Sequence, residues 1–254
     1  MWINDVIDIF GEFFDRYCVE VPSPEKAQEF FTFNHEPSTS EWVDEWDQRA
    51  RHWRLYKLGA SVNLAALLMS LDLSSLGRCK KILSVGSGIG VYEVFLARLL
   101  EEAGYETEIL CVDSSQGMCD RIQALAADAR ARNLRTVNAP ATTLPCPDAS
   151  IDLLICIDAI QWMIEWRAVV AEMRRVINPK GNSKLCFTVH DKPSGYMLNS
   201  RPVRLGDISL LRLTEELLKH GFTVQDPIPL HSNHEIAAQM LGNLLVAKFQ
   251  PNRK

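Results

Sequence analysis

The sequence contains no C-x-x-C pair, and its seven cysteines (Cys18, Cys79, Cys111, Cys119, Cys146, Cys156 and Cys186) are scattered and odd in number. That pattern argues against a zinc site or a disulfide frame and suits a reducing compartment. Cys111, Cys156 and Cys186 fall inside strand-like apolar runs and read as small core residues. Dense Lys/Arg runs are missing as well. The net charge is −5, and Arg130-Ala131-Arg132 and Arg174-Arg175 are isolated pairs that read as solvated helix faces, so no nucleic-acid partner is expected. No apolar run is long enough to span a bilayer, which argues against membrane insertion. No basic region precedes an apolar core at Met1-Trp2-Ile3-Asn4-Asp5, so no signal peptide and a cytoplasmic location are expected. His35, His190, His231 and His234 have no metal-ligand spacing, and no metal is expected. Internal repeats and low-complexity segments are also lacking.

What remains is a chain of 254 residues, 47% hydrophobic, enough for one large α/β domain with embellishments. Apolar residues at Trp2, Val6, Ile9, Phe10, Phe13, Phe14 and Tyr17 form a helical stripe, broken at Val21-Pro22-Ser23-Pro24. Ser38-Thr39-Ser40-Glu41 is a helix-start signal, and a tryptophan-rich helix (Trp42, Trp46, Trp53) is expected to continue to about Leu71. From Lys80 onward the pattern alternates. Strands are expected near 81–86, 107–112, 135–138, 151–157, 183–190, 222–226 and 243–249, with helices near 90–103, 115–132, 165–177 and 208–220. Gly221 reads as the cap of the last of these helices. Such alternation implies a mostly parallel seven-stranded sheet with helices on both faces. Residues 1–78 stand outside it and are expected to form a helical cap over the sheet's carboxyl edge, with residues 79–254 as the second domain.

The densest signal is Lys81-Ile82-Leu83-Ser84-Val85-Gly86-Ser87-Gly88-Ile89-Gly90. An apolar strand runs into three glycines at alternate positions and then into an apolar-periodic helix. Glycines there permit a tight turn and let a ligand lie against bare N–H groups at a helix start. The spacing is G-x-G-x-G, not the G-x-G-x-x-G of dehydrogenases. The next strand, Ile109-Leu110-Cys111-Val112, ends in Asp113, an acid placed to hydrogen-bond ribose hydroxyls. A nucleoside-containing cofactor follows.

Leu144-Pro145-Cys146-Pro147-Asp148, the strand at Ile151-Asp152-Leu153-Leu154 and the turn Asn178-Pro179-Lys180-Gly181 complete an ordered set of motifs. Over about residues 80–250 the chain resembles the Rossmann-like class I methyltransferases, which use S-adenosylmethionine. The resemblance implies that cofactor as the methyl donor, with contacts from Gly86, Ser87, Gly88, Gly90, Asp113, Ser114, Met118 and Ile157. Two departures stand out. Most members carry an acid where this chain has Ser84, and an adenine-facing acid close to where it has Pro140. Thr142 or Thr143 is expected to take the second role.

Lys81-Ile82-Leu83-Ser84-Val85-Gly86 is also similar to the corresponding turn of the histamine N-methyltransferase family, which has serine at that place. This narrower resemblance implies substrate contacts from Glu41 and Trp42 on the N-terminal segment, from Asp158 and Trp162 after the fourth strand, from Tyr196 and from Asn243. It departs from the family pattern at Asp158, where the family has glutamine, and by lacking a helical insertion before the last strand. Glu41 also reads as a first-turn helix acid, Asp158 as a turn cap, Asn243 as a backbone partner and Trp42 as a core residue. Asp158 and His190 are the candidate catalytic groups, His190 as a general base at the end of the fifth strand. The expectation is methyl transfer to a small cationic amine or imidazole-type nitrogen by a monomer or homodimer. The alternatives are an O-methyltransferase using His190, and a member that keeps the cofactor without methylating.

Overall fold

Leucine, isoleucine and valine runs without polar alternation need cover on both faces of a sheet, and this chain provides it from two layers of helices. The computed structural model describes residues 3–18, 32–33, 39–50, 57–71, 73–180, 183–189, 197–198, 201–202, 208–230 and 242–249. The first elements are α1 (Ile3–Tyr17), the short strand β1 (Thr32–Phe33), α2 (Thr39–Ala50), α3 (Lys57–Ser70) and α4 (Leu73–Arg78). Then come β2 (Lys81–Val85), α5 (Val91–Glu102), β3 (Glu108–Asp113), α6 (Gln116–Ala129), β4 (Leu134–Asn138) and β5 (Leu153–Cys156). A 3-10 turn (Ile160–Trp162), α7 (Trp166–Val176), β6 (Lys184–Val189) and the short β7 (Met197–Leu198) and β8 (Arg201–Pro202) follow. The chain closes with α8 (Leu210–Lys219), β9 (Phe222–Val224), β10 (Ile228–Pro229) and β11 (Asn243–Phe249).

The main sheet has the order β10-β11-β6-β5-β2-β3-β4, with β9 also pairing β11. All pairings from β4 to β6 are parallel, and β11 alone runs antiparallel between β6 and the β9/β10 edge. The seven expected strands are all present, with β10 as a short extra piece of edge. The fourth is shorter than expected: Ile151 forms only an isolated bridge to Ile177, and Asp158 leaves the strand with φ 52°. β1, β7 and β8 form a separate small sheet.

Two apolar clusters fill the two faces. One joins Phe10, Phe14 and Leu64 to Phe95, Leu96 and Ile82, and the other joins Trp166, Val170 and Met173 to Leu83, Leu154 and Phe187. Full burial of such side chains stabilises the fold by roughly 1.5–3 kcal/mol each. α1 belongs to the first cluster. Phe10 and Phe14 are fully buried, and the Phe10 ring meets Phe95 edge-on with centroids 5.0 Å apart. The amino-terminal helices therefore divide their work: α1 and α3 pack into the layer covering the sheet, while α2 reaches the carboxyl edge. The tryptophan-rich helix expected to run unbroken to about Leu71 is described as two segments, α2 and α3, and residues 51–56, Trp53 included, lie outside the described residues. Ser115 and Ser209 cap α6 and α8 by accepting from Met118 N–H and Arg212 N–H, and Gly221 ends α8 with φ 80°.

Candidate functional site

β2 pairs with β3 on one side and β5 on the other, so the chain's path reverses there. Open α/β sheets bind ligands at the carboxyl ends of strands at such a switch point. A cavity of about 280 Å³ lies at this place, lined by the ends of β2, β3 and β5 and by α2. Its floor is the glycine turn. Gly86 has φ 70°, and a Cβ there would lie 2.5 Å from the Ala159 Cβ, so glycine is needed for the strand end to pass the turn after β5. Gly88 has φ 55°, yet a Cβ there would meet nothing within 4 Å. Its bare face is a cradle that a side chain would fill, which is the space a bound ligand needs.

Asp113 ends β3. Its Oδ2 accepts from Gly88 N–H at 2.9 Å and its Oδ1 from Ser115 N–H at 2.9 Å. Burial pushes its carboxyl up to about 6, against the pull of those N–H donors. Each oxygen keeps a lone pair for a ribose hydroxyl. The loop after β4 forms another wall. Thr142 lines the cavity, whereas Thr143 is exposed and donates its N–H to Pro140 O at 3.0 Å. Of the two threonines offered for the adenine edge, Thr142 is thus the one at the cavity. Arg175 holds this loop from behind, donating to Leu144 O at 3.0 Å and Cys146 O at 2.8 Å while pairing with Glu172 and Asp148. Apart from Thr143, every residue expected to contact the cofactor lines this one cavity.

Asp158 sits at the other end. Its carboxylate accepts from Asn63 Nδ2 at 2.6 Å and Thr188 Oγ1 at 2.8 Å, and its own N–H donates to Thr188 Oγ1 at 2.5 Å. Trp162 Nε1 donates to Asp158 O at 2.8 Å. These bonds hold a non-glycine residue in the left-handed region, at φ 52°. α2 adds Trp46, whose ring meets Trp162 edge-on at 5.4 Å. α2 is pinned there because Asp47 Oδ1 accepts from Gly117 N–H at 2.7 Å and Ser115 Oγ at 2.9 Å, at the start of α6, and Arg121 donates to Ala50 O at 2.7 Å. Glu41 and Trp42 belong to the first turns of α2, with side chains outside the described set. His190 and Tyr196 lie outside the described residues. Asn243 starts β11 opposite Val189 and is not among the described residues that line the cavity.

Three contributors were not expected from the sequence. Asn63, from α3, is 4% exposed and reaches Asp158 across the sheet's edge. Tyr92 lines the cavity, its hydroxyl 3.4 Å from Asn63 Nδ2, and burial raises its phenol. Glu93, in the first turn of α5, is 2% exposed and accepts from Ser84 Oγ at 2.6 Å. Burial pushes the Glu93 carboxyl up to about 7. A charged residue in the buried run Val91 to Leu96 was the one signal that marked it. Among the described residues no group of three His, Cys, Asp or Glu is placed to hold a metal ion, and no helix is long and apolar enough to cross a membrane.

Residues 82–181 match the family model described as a methyltransferase domain. No curated protein matches the sequence. Among solved structures the chain is similar to the 4+2 cyclase SpnF, with TM-score 0.61 and 17% identity over 92% of this chain and 99% of that one. It is similar also to magnesium protoporphyrin IX methyltransferase from Synechocystis PCC 6803 with bound S-adenosylmethionine, at 0.58 and 13% over 96% and 97%. A third likeness is to an S-adenosylmethionine-dependent methyltransferase from Aquifex aeolicus, at 0.56 and 16% over 84% and 98%. At these identities the structures show the shared Rossmann-like fold.

Over residues 82–181 the matched segment, with its glycine turn and Asp113, has the features of a class I methyltransferase domain. A domain of this class uses S-adenosylmethionine as its methyl donor. The site fits that cofactor on its own terms: a side-chain-free cradle at Gly88, an acid for ribose hydroxyls at Asp113 and a hydroxyl at Thr142. When bound, the cofactor supplies an electrophilic methyl on a sulfonium whose leaving group departs neutral. The protein's share is to align the acceptor in line with that methyl and to exclude water, which can lower the barrier by about 7–11 kcal/mol.

Proposed function

We propose that the acceptor is a small cationic amine and that the methyl goes to an amine or imidazole-type nitrogen. One observation carries this reading. Among the described residues, the charged groups lining the cavity are all acids (Glu93, Asp113, Asp158 and Glu165), with no lysine, arginine or histidine. Asp158 follows β5, with β2 between it and the strand that ends in Asp113, and its backbone carbonyl accepts from Trp162 Nε1, whose ring meets Trp46. An ionised carboxylate only accepts hydrogen bonds, and an ammonium only donates them. Aromatic faces further favour a cation. Asn63 and Thr188 orient the Asp158 carboxylate without supplying charge.

A carboxylate beside an ammonium raises the ammonium's pKa. Asp158 therefore anchors a charged nitrogen and does not deprotonate it, and the methylated atom is a second nitrogen that carries a lone pair. Removing one member of a desolvated charge pair costs about 2–5 kcal/mol. Asp158→Asn should thus raise KM for amine acceptors by more than about tenfold and leave neutral acceptors much less affected. The assay is methyl transfer over amines, phenols and carboxylic acids with wild type, Asp158→Asn and Glu41→Gln. A wild type that prefers neutral or anionic acceptors, with neither substitution altering the preference, would sink the amine reading. Cofactor binding with no transfer to any acceptor would point to the non-methylating alternative.

A further inference from the structure

We propose that Glu93 is the counter-charge for the ammonium group of the cofactor's amino-acid tail, the acid that Ser84 leaves out of the strand being supplied from the helix instead. Glu93 lines the cavity at the first turn of α5, beside the glycine turn, and is 2% exposed. Its two oxygens differ. Oε1 accepts from Ser84 Oγ at 2.6 Å, and Oε2 is buried with no hydrogen-bond partner among the described residues. A buried carboxylate oxygen without a donor is costly and needs a reason. The lining offers no side-chain cation to match it, because the charged residues there are all acids among the described residues. Asp113 already accepts a backbone N–H on each oxygen, and Glu165 is exposed at the rim. A bound ligand can bring the donor that the described lining lacks, and an ammonium carries three.

Ser84 fits the same assignment. It is 1% exposed and faces α5 across the turn, so its hydroxyl sets the direction of Glu93 where an acid on the strand would have pointed for itself. The inference rests on S-adenosylmethionine as cofactor and is independent of the acceptor.

The test is calorimetric binding of S-adenosylhomocysteine, which carries the ammonium, and of methylthioadenosine, which lacks the whole amino-acid tail. Glu93→Gln keeps the volume and the Ser84 hydrogen bond while removing the charge. It should weaken S-adenosylhomocysteine by about tenfold or more and leave methylthioadenosine within about twofold. Equal losses for both ligands would make Glu93 structural, and no loss for either would leave it without a role. Either result overturns the proposal. Ser84→Ala provides a second route if Glu93→Gln does not fold. It should weaken S-adenosylhomocysteine selectively by about threefold to tenfold, and a loss shared by both ligands, or none, overturns the assignment. A wild type that binds neither nucleoside would instead overturn the cofactor reading itself.

Discussion

Replacing Glu93 with glutamine should remove the pH dependence that this residue imposes on the unliganded protein. Burial raises the Glu93 carboxyl from its ordinary 4.5 to about 7, with the nearby Asp113 adding to the rise and Ser84 opposing it. An acid whose pKa is higher in the folded than in the unfolded chain favours folding when protonated. Its contribution is fully present below about 4.5 and is lost as pH climbs through about 7. The rise corresponds to about 3 kcal/mol, each pKa unit being 1.36 kcal/mol. Glutamine keeps the acceptor for Ser84 and cannot ionise, so its stability curve lacks this slope. The difference in unfolding free energy between Glu93→Gln and wild type should therefore shift by about 3 kcal/mol in the variant's favour between pH 4.5 and pH 8. Urea denaturation of both proteins across that range measures it, and taking the difference cancels the other titrating groups. Parallel curves would mean that Glu93 is hydrated in the folded state and carries no burial penalty. The same variant is expected to bind S-adenosylhomocysteine more weakly, so a gain in stability and a loss of affinity should arrive together.

The glycine turn separates packing from ligand space. Gly86→Ala should cost about 2–5 kcal/mol of stability, from the contact at 2.5 Å with Ala159 added to the left-handed backbone. Gly88→Ala should cost only about 1–2 kcal/mol of stability while reducing cofactor affinity more than tenfold, and equal stability losses in denaturation would refute the distinction. Phe10→Ala should cost about 3–5 kcal/mol, because α1 is part of the main core. A loss below about 1 kcal/mol in the same measurement would show α1 to be an accessory lid.

The sheet was legible because its information is local. Strands such as Leu153–Cys156 are continuous apolar runs, helices such as α7 carry an apolar stripe, and the glycines after Val85 mark the turn from strand to helix. Asp113 was legible for the same reason, as an acid at a strand tip. The Ser84–Glu93 pair was not, since its two members stand nine positions apart on different elements and meet only when the turn folds back. Asn63 and Asp158 are 95 positions apart, and no pattern in either segment announces the other. Thr142 and Thr143 are equivalent in sequence, and only the folded loop, with Thr143 N–H turned to Pro140 O and Thr142 at the cavity, tells them apart. The role of α1 was hidden for another reason. An amphipathic stripe says that a helix is buried on one side, but not against which layer.

The acidic lining bears on the choice of acceptor through charge conservation. In transfer to a neutral nitrogen, the positive charge leaves sulfur and reappears on the acceptor, so the cavity holds the same net charge before and after. In transfer to a phenolate or carboxylate, a positive and a negative charge vanish together. The anionic acceptor must first enter a cavity whose described charged side chains are all acids. At an effective dielectric near 20, two like unit charges 4 Å apart repel by about 4 kcal/mol. One such contact is enough to disfavour an anionic acceptor by about a thousandfold. The order runs the other way for a cation. Asp158, fixed by Asn63 and Thr188, would hold it in place through the transfer, and the new positive charge on its second nitrogen would stay within reach of the same acids. A cavity whose described charged residues are all acids therefore favours moving positive charge from one end to the other, and this supports the proposed amine acceptor over an acidic oxygen.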